Sequence, residues 1–147
     1  MNKKKQGSST QSVHLSKRID KETRAIIPPV VNNAAFAYND LETWRQVASD
    51  KVKGHIYSRN TNPTTDYFEE RIAALEGAEA ATSFATGMAA ISTTLFALLS
   101  SSHRLVSIKD SYGATYLHFT EILPRFNISC DIFETEDTEA MVKSINK

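Results

Sequence analysis

Thr82-Ser83-Phe84-Ala85-Thr86-Gly87-Met88-Ala89-Ala90-Ile91 decides the fold of this chain. Its first half predicts the end of a strand, at about Ala80 to Ala85. Its second half opens a helix, because Met88, Ile91, Leu95, Leu98 and Leu99 recur at helical spacing after Gly87. At such a junction the first N–H groups of the helix have no partner within it, and the helix dipole adds its positive end. A glycine there lets a ligand approach the backbone closely. The combination favours an anion, most often phosphate, with the Thr86 hydroxyl as a further donor. An ordinary turn before a buried helix explains the same residues. The G-x-G-x-x-G and G-x-x-x-x-G-K-[ST] phosphate-binding patterns are both absent.

Downstream, Arg104 to Ile108 reads as a second strand, Ala114 to Leu123 as a helix closed near Pro124, Ile128 to Phe133 as a third strand and Thr138 to Ile145 as a last helix. Upstream, Phe68, Ile72 and Leu75 fall at i, i+4 and i+7 in a helix capped by Thr64 or Thr65 and stopped by Gly77. Strands alternating with helices over short links predict an α/β fold, a three-layer αβα arrangement with a mostly parallel sheet. The pattern ends one helix after the third strand, so this domain, residues 62–147, is expected to be incomplete.

Residues 14–61 lack a sustained period. Pro28-Pro29, Val30-Val31 and Ala34 to Tyr38 read as an extended arm lying along another surface, one belonging to a second subunit, instead of folding on itself. One short helix is expected within it, from Asp40 as N-cap through Leu41, Trp44 and Val47. Residues 1–13, with Lys3-Lys4-Lys5, read as a disordered, solvated tail.

Composition excludes several functions. The 147 residues are 41% hydrophobic and 23% charged, ordinary for a soluble domain. Seventeen basic residues balance seventeen acidic ones, so no net field gathers nucleic acid or an anionic membrane. No apolar run approaches the roughly 20 residues of a membrane span, and no signal peptide is evident, so a cytoplasmic location is expected. Cys130 is the single cysteine and is expected to be a buried strand thiol. The histidines, His14, His55, His103 and His118, are too scattered for a metal site.

Two further clusters carry chemistry. In His55 to Thr64, Arg59 offers a two-pronged donor and Tyr57 a hydroxyl to a phosphate, although a polar surface loop would have the same composition. Tyr112, in the turn after the second strand, should face the same crevice as Gly87, because the ends of parallel strands line up. There its ring either stacks on a flat ligand or is half covered by its neighbours.

Taken together, Tyr57-Ser58-Arg59, Asn62-Pro63-Thr64, Leu75-Glu76-Gly77, Thr86 to Ile91 and Tyr112-Gly113-Ala114-Thr115 resemble the fold-type I, pyridoxal 5'-phosphate-dependent enzymes of cysteine and methionine metabolism. That group includes cystathionine gamma-synthase, the cystathionine lyases, methionine gamma-lyase and O-acetylhomoserine sulfhydrylase. The resemblance spans nearly the whole chain from about residue 15. It implies that Gly87 and Met88 hold the cofactor phosphate through backbone N–H groups, with Thr86 where the family usually has serine. It also implies that Tyr112 stacks on the pyridine ring and takes part in proton transfer. Tyr57 and Arg59 would reach the phosphate of a neighbouring subunit's cofactor, Tyr57 lying beside the leaving group, which makes a homodimer or homotetramer part of the site. The substrate would be an amino acid, sulfur-containing or an O-acyl-homoserine, undergoing γ- or β-elimination or replacement. The family's Schiff-base lysine normally follows a Ser-x-Thr-type stretch, and no lysine of this sequence has that context; Lys109, beside Tyr112, is the nearest candidate, but it ends a strand and does not match the family's lysine position. The alternative is a catalytically inactive fragment that keeps only the subunit-contact and phosphate-binding elements.

Overall fold

The computed structural model describes residues 7–14, 24–25 and 27–145. They fall into two units, residues 1–83 and 84–147. Part of the expected tail, including Lys3-Lys4-Lys5, lies outside the described residues.

In the first unit α1 (Ser8–His14), α2 (Leu41–Ala48) and α3 (Pro63–Glu76) follow one another. Helix α1 replaces most of the described part of the expected tail. Its last turn is held by Arg71 of α3, whose Nη2 donates to the carbonyl of Val13 at 3.0 Å while Nη1 donates to that of Ser12. Helix α2 begins as expected: the Asp40 carboxylate accepts from Thr43 N–H at 2.7 Å and from its hydroxyl at 2.8 Å. The arm, however, folds back on itself. Ala35 pairs antiparallel with Tyr57, Phe36 N–H donates to Ile56 C=O at 3.0 Å and Ser58 N–H donates to Ala34 C=O at 2.8 Å. An extended segment leaves its backbone groups open, and the returning 56–58 stretch satisfies them within the same chain.

The cap of α3 is also relocated. Asn62, buried at 7% exposure, accepts from Thr64 N–H at 2.8 Å, while its Nδ2 donates to Val31 C=O at 3.1 Å and to Ser58 Oγ at 2.8 Å. The Thr64 hydroxyl is turned to the arm, where it accepts from Val31 N–H at 2.8 Å. Pro63 occupies the first helical position, where its missing N–H costs nothing. Gly77 ends the helix in the left-handed region at φ 68°, as expected. Phe68, Ile72 and Leu75 lie on α3 but remain 36–53% exposed.

No strand forms over residues 80–85. The Ser83 N–H that would enter a ladder instead donates to Glu69 Oε1 at 2.6 Å, and the Ser83 hydroxyl donates to the same oxygen at 2.8 Å.

The second unit runs α4 (Gly87–Leu98), β1 (Arg104–Ile108), α5 (Gly113–Leu117), a π-helical stretch (His118–Ile122), a 3-10 turn (Leu123–Phe126), β2 (Ser129–Phe133) and α6 (Thr138–Ile145). The strands are parallel, in register from Arg104 with Ser129 to Ile108 with Phe133. Among the described residues the sheet therefore has two strands instead of three. The single helix expected over 114–123 is a run that widens and then tightens, ending at Asn127 with φ 59°. Its widened part turns His118 and Phe119 inward. Phe119, Leu123 and Ile128 make the core, with Leu95 and Leu99 of α4 and Leu105, Cys130 and Ile132 of the strands packed against it. Arg104 pairs with Asp131 at 2.6 Å, and Ser144 of α6 donates to the same carboxylate at 2.8 Å, fastening α6 to the sheet. The parallel pair joined through a helical crossover is the α/β organisation that the sequence pattern predicts.

Candidate functional site

The start of α4 is built by Thr86. Its extended backbone, φ −148° and ψ 155°, lets the side-chain oxygen accept from Ala89 N–H at 3.1 Å, while its carbonyl accepts from Ala90 N–H at 3.1 Å. The N–H groups of Gly87 and Met88 have no acceptor among the described residues. The hydrogen of the Thr86 hydroxyl also remains available for donation. A Cβ on Gly87 would meet nothing within 4 Å, so no side chain crowds this residue. Two unclaimed amides at the positive end of a 12-residue helix suit a phosphate.

The turn that carries Tyr112 meets this helix start at Met88. Thr115, 7% exposed, has its Oγ1 3.5 Å from Met88 Sδ, while its N–H donates to Tyr112 C=O at 2.8 Å. Tyr112 is 73% exposed, so its ring is not half covered by its neighbours and has a face to offer. The structure thus links Thr86, Gly87, Met88 and Tyr112 within one unit.

Tyr57 and Arg59 belong to the other unit. The Arg59 guanidinium sits 5.0 Å from the centre of the Tyr57 ring, a cation–π contact that holds two exposed side chains together. Tyr57 is further tied down by its backbone pairing with Ala35.

Lys109 is exposed and bound to Glu134 at 2.7 Å. The hydrogen bond and charge of Glu134 raise its pKa above the ordinary value, which keeps the amine protonated and unsuited to nucleophilic attack. Burial, reinforced by the charge of Asp131, pushes the Cys130 thiol up as well, so it is a poor source of thiolate. Among the described residues no group of His, Cys, Asp or Glu could hold a metal ion, and no helix is long and apolar enough to cross a membrane.

Sequence reasoning missed the two residues that fasten the Tyr112 turn to the sheet through Lys109 and Asp110: Glu134 and Thr135. Their only signal is position, just beyond the carboxyl end of the second of two strands that pair.

Comparison with known proteins places these features in context. The model of the Cys/Met metabolism PLP-dependent enzymes matches residues 9–147. The sulfhydrylase FUB7 of Fusarium oxysporum is 33% identical over 141 residues, which make up 96% of this chain and 33% of that protein. The chloroplastic cystathionine gamma-synthase 1 of Nicotiana tabacum is 32% identical over 138 residues, 92% of this chain and 26% of that one. Among solved structures, an O-acetylhomoserine (thiol)-lyase of Campylobacter jejuni that carries a pyridoxyl-lysine monophosphate superposes with a TM-score of 0.86 at 29% identity, covering 95% of this chain and 34% of that one. The chain spans about a third of the length of the curated relatives it matches, or less.

Proposed function

The chain belongs to the Cys/Met metabolism PLP-dependent enzyme family, and from that premise we propose that its residues supply the phosphate- and ring-binding elements of a transsulfuration-type enzyme resembling cystathionine gamma-synthase. Its substrates would be amino acids such as an O-acyl-homoserine or cystathionine, undergoing γ- or β-elimination or replacement. The observation that carries this is the pair of unclaimed N–H groups at Gly87 and Met88, tied through Thr115 to the exposed ring of Tyr112.

The residues present fit pyridoxal phosphate, the family's cofactor. Gly87 and Met88 would donate their amide hydrogens to the phosphate, and the Thr86 hydroxyl would add a third bond without giving up its cap. The helix dipole favours the same negative charge. Tyr112 would lie against the pyridine ring, and its phenol could take or return a proton beside the substrate. When bound, the cofactor supplies an electron sink that eases removal of a proton from the carbon bearing the substrate's amino group. Arg59, held over Tyr57, would reach the phosphate bound by a second copy of the chain, so the working unit is proposed as a homodimer or homotetramer. The proposed compartment is the cytoplasm.

A second reading, a non-catalytic chain with phosphate affinity, is favoured by one observation: Lys109, the lysine nearest in sequence to Tyr112, is occupied by Glu134. Adding pyridoxal phosphate and then borohydride tests this, because a lysine-linked cofactor is trapped and a merely phosphate-bound one is not. Calorimetric titration with 4'-deoxypyridoxine 5'-phosphate, which lacks the aldehyde, tests the site itself. Binding that inorganic phosphate displaces supports the proposal. Absence of binding, or binding that phosphate does not displace, overturns it.

A further inference from the structure

We propose that Thr135 and Glu134, which follow β2, are positioning residues for the cofactor ring: they clamp the turn after β1 and thereby fix where Tyr112 presents its face. This rests on the phosphate-site reading above and adds a pair of residues that do not touch the ligand.

Tyr112 is 73% exposed and makes no side-chain cap bond, so its neighbours do not hold the ring. Its placement must then come through the backbone, and the backbone between β1 and Tyr112 is only Lys109, Asp110 and Ser111. Each of the first two is tied to the segment after β2. The last sheet pair is Ile108 with Phe133, and Lys109 N–H extends the ladder by donating to Phe133 C=O at 2.8 Å. Beyond that point side chains continue the connection: Lys109 Nζ pairs with Glu134 at 2.7 Å, and the Thr135 hydroxyl donates to Asp110 Oδ2 at 2.5 Å. The chain then closes tightly, Ser111 N–H donating to Lys109 C=O at 2.8 Å, and Tyr112 begins α5. Two parallel strands are thus joined past their last ladder bond, directly before the stacking residue. Parallel sheets otherwise leave the loops at their carboxyl ends free to move independently.

The consequence separates ring from phosphate. The phosphate donors, Gly87 and Met88, are on α4, away from the clamp in sequence and made by a different cap. Loosening the clamp should disturb stacking and leave phosphate binding intact. Thr135→Val removes one side-chain link, and Thr135→Val with Glu134→Leu removes both, without changing a residue that would meet the ligand. The readouts are affinity for 4'-deoxypyridoxine 5'-phosphate, the circular dichroism induced in its absorption band, and affinity for inorganic phosphate, all on the 147-residue chain. We expect the double variant to lose the induced signal and to bind the analogue about tenfold more weakly, with phosphate affinity changed by less than about twofold. Thr135→Ser should restore both. Thermal melts monitored by far-ultraviolet dichroism identify a variant that has unfolded, and for such a variant Thr135→Ser compared with Thr135→Ala decides the matter. An induced signal that persists in folded variants overturns this inference alone. A wild-type chain that binds neither the analogue nor phosphate overturns the site reading and this inference with it.

Discussion

The Tyr38 hydroxyl bonds twice to the backbone of one residue, accepting from His55 N–H at 3.1 Å and donating to His55 C=O at 3.0 Å. It can do so only because the preceding residue has no side chain. A Cβ on Gly54 would stand 2.5 Å from that hydroxyl and 2.9 Å from Val47 Cγ1. Gly54→Ala is therefore expected to destabilise the first unit by about 1–3 kcal/mol in urea unfolding. The loss should be smaller in a Tyr38→Phe background, by roughly 0.5–1 kcal/mol, because part of the clash has been removed. Equal losses in both backgrounds would show that the hydroxyl is not what the new methyl meets.

Gly87 presents the opposite case. Its φ is not left-handed and a Cβ would meet nothing, so its own fold does not require glycine. Gly87→Ala should leave the melting temperature unchanged or raise it, with a gain of up to about 1 kcal/mol from reduced freedom of the unfolded chain. The same methyl would narrow the approach to the Gly87 and Met88 amides. Calorimetry should show about tenfold weaker phosphate binding, which corresponds to roughly 1.4 kcal/mol. Unaltered binding would mean that the anion sits elsewhere.

Asn62 joins the arm to α3 through one buried side chain. Asn62→Ala removes the cap and strands the Val31 carbonyl, while the Ser58 hydroxyl keeps its bond to Asn33 C=O, an expected cost of about 2–3 kcal/mol. Asn62→Asp keeps the acceptor for Thr64 N–H and loses both donations, so its stability should fall between those of the unaltered chain and Asn62→Ala. Denaturant midpoints of the three proteins would establish that order or refute it.

At Asp40 the backbone N–H of Thr43, followed by its hydroxyl, lowers the carboxyl pKa below 3.8. A carboxylate whose pKa is depressed by folding contributes stability above its unfolded value, and that contribution is lost as pH falls through the folded one. Helix α2 should therefore loosen at its start below about pH 4, with the Thr43 amide shift in NMR moving over the same range. In Asp40→Asn that movement should vanish; its persistence would point to a different carboxylate.

Much of this architecture can be read from local chemistry. Asp40, Gly77 and Thr86 each mark a helix end by a device contained in a few residues, and the structure uses all three. Legibility stops where the outcome depends on distant partners. Residues 80–85 have the composition of a strand, but a strand exists only beside another, and Glu69 claims the Ser83 amide from 14 residues away. Thr64 is as good a cap as Asn62 by type, and what decides between them is Val31, 33 residues upstream of Thr64, which takes the Thr64 hydroxyl. The same limit divides the site. Thr86, Gly87 and Met88 form one continuous stretch and are legible, whereas the Asp110 to Thr135 link depends on strand register.

The wide π turn at His118–Ile122 has a consequence for changes in chain length. A π turn holds more residues than an α turn at the same point on the helix axis. Deleting a single residue there would let the backbone relax to ordinary pitch, with the Tyr112 corner and the Leu123 anchor still on their own sides. The same deletion inside α4 would swing Leu95 and Leu99 away from the core by roughly 100°, given 3.6 residues per turn. Natural length variation between β1 and β2 should accordingly be tolerated at this swelling before anywhere else in the second unit.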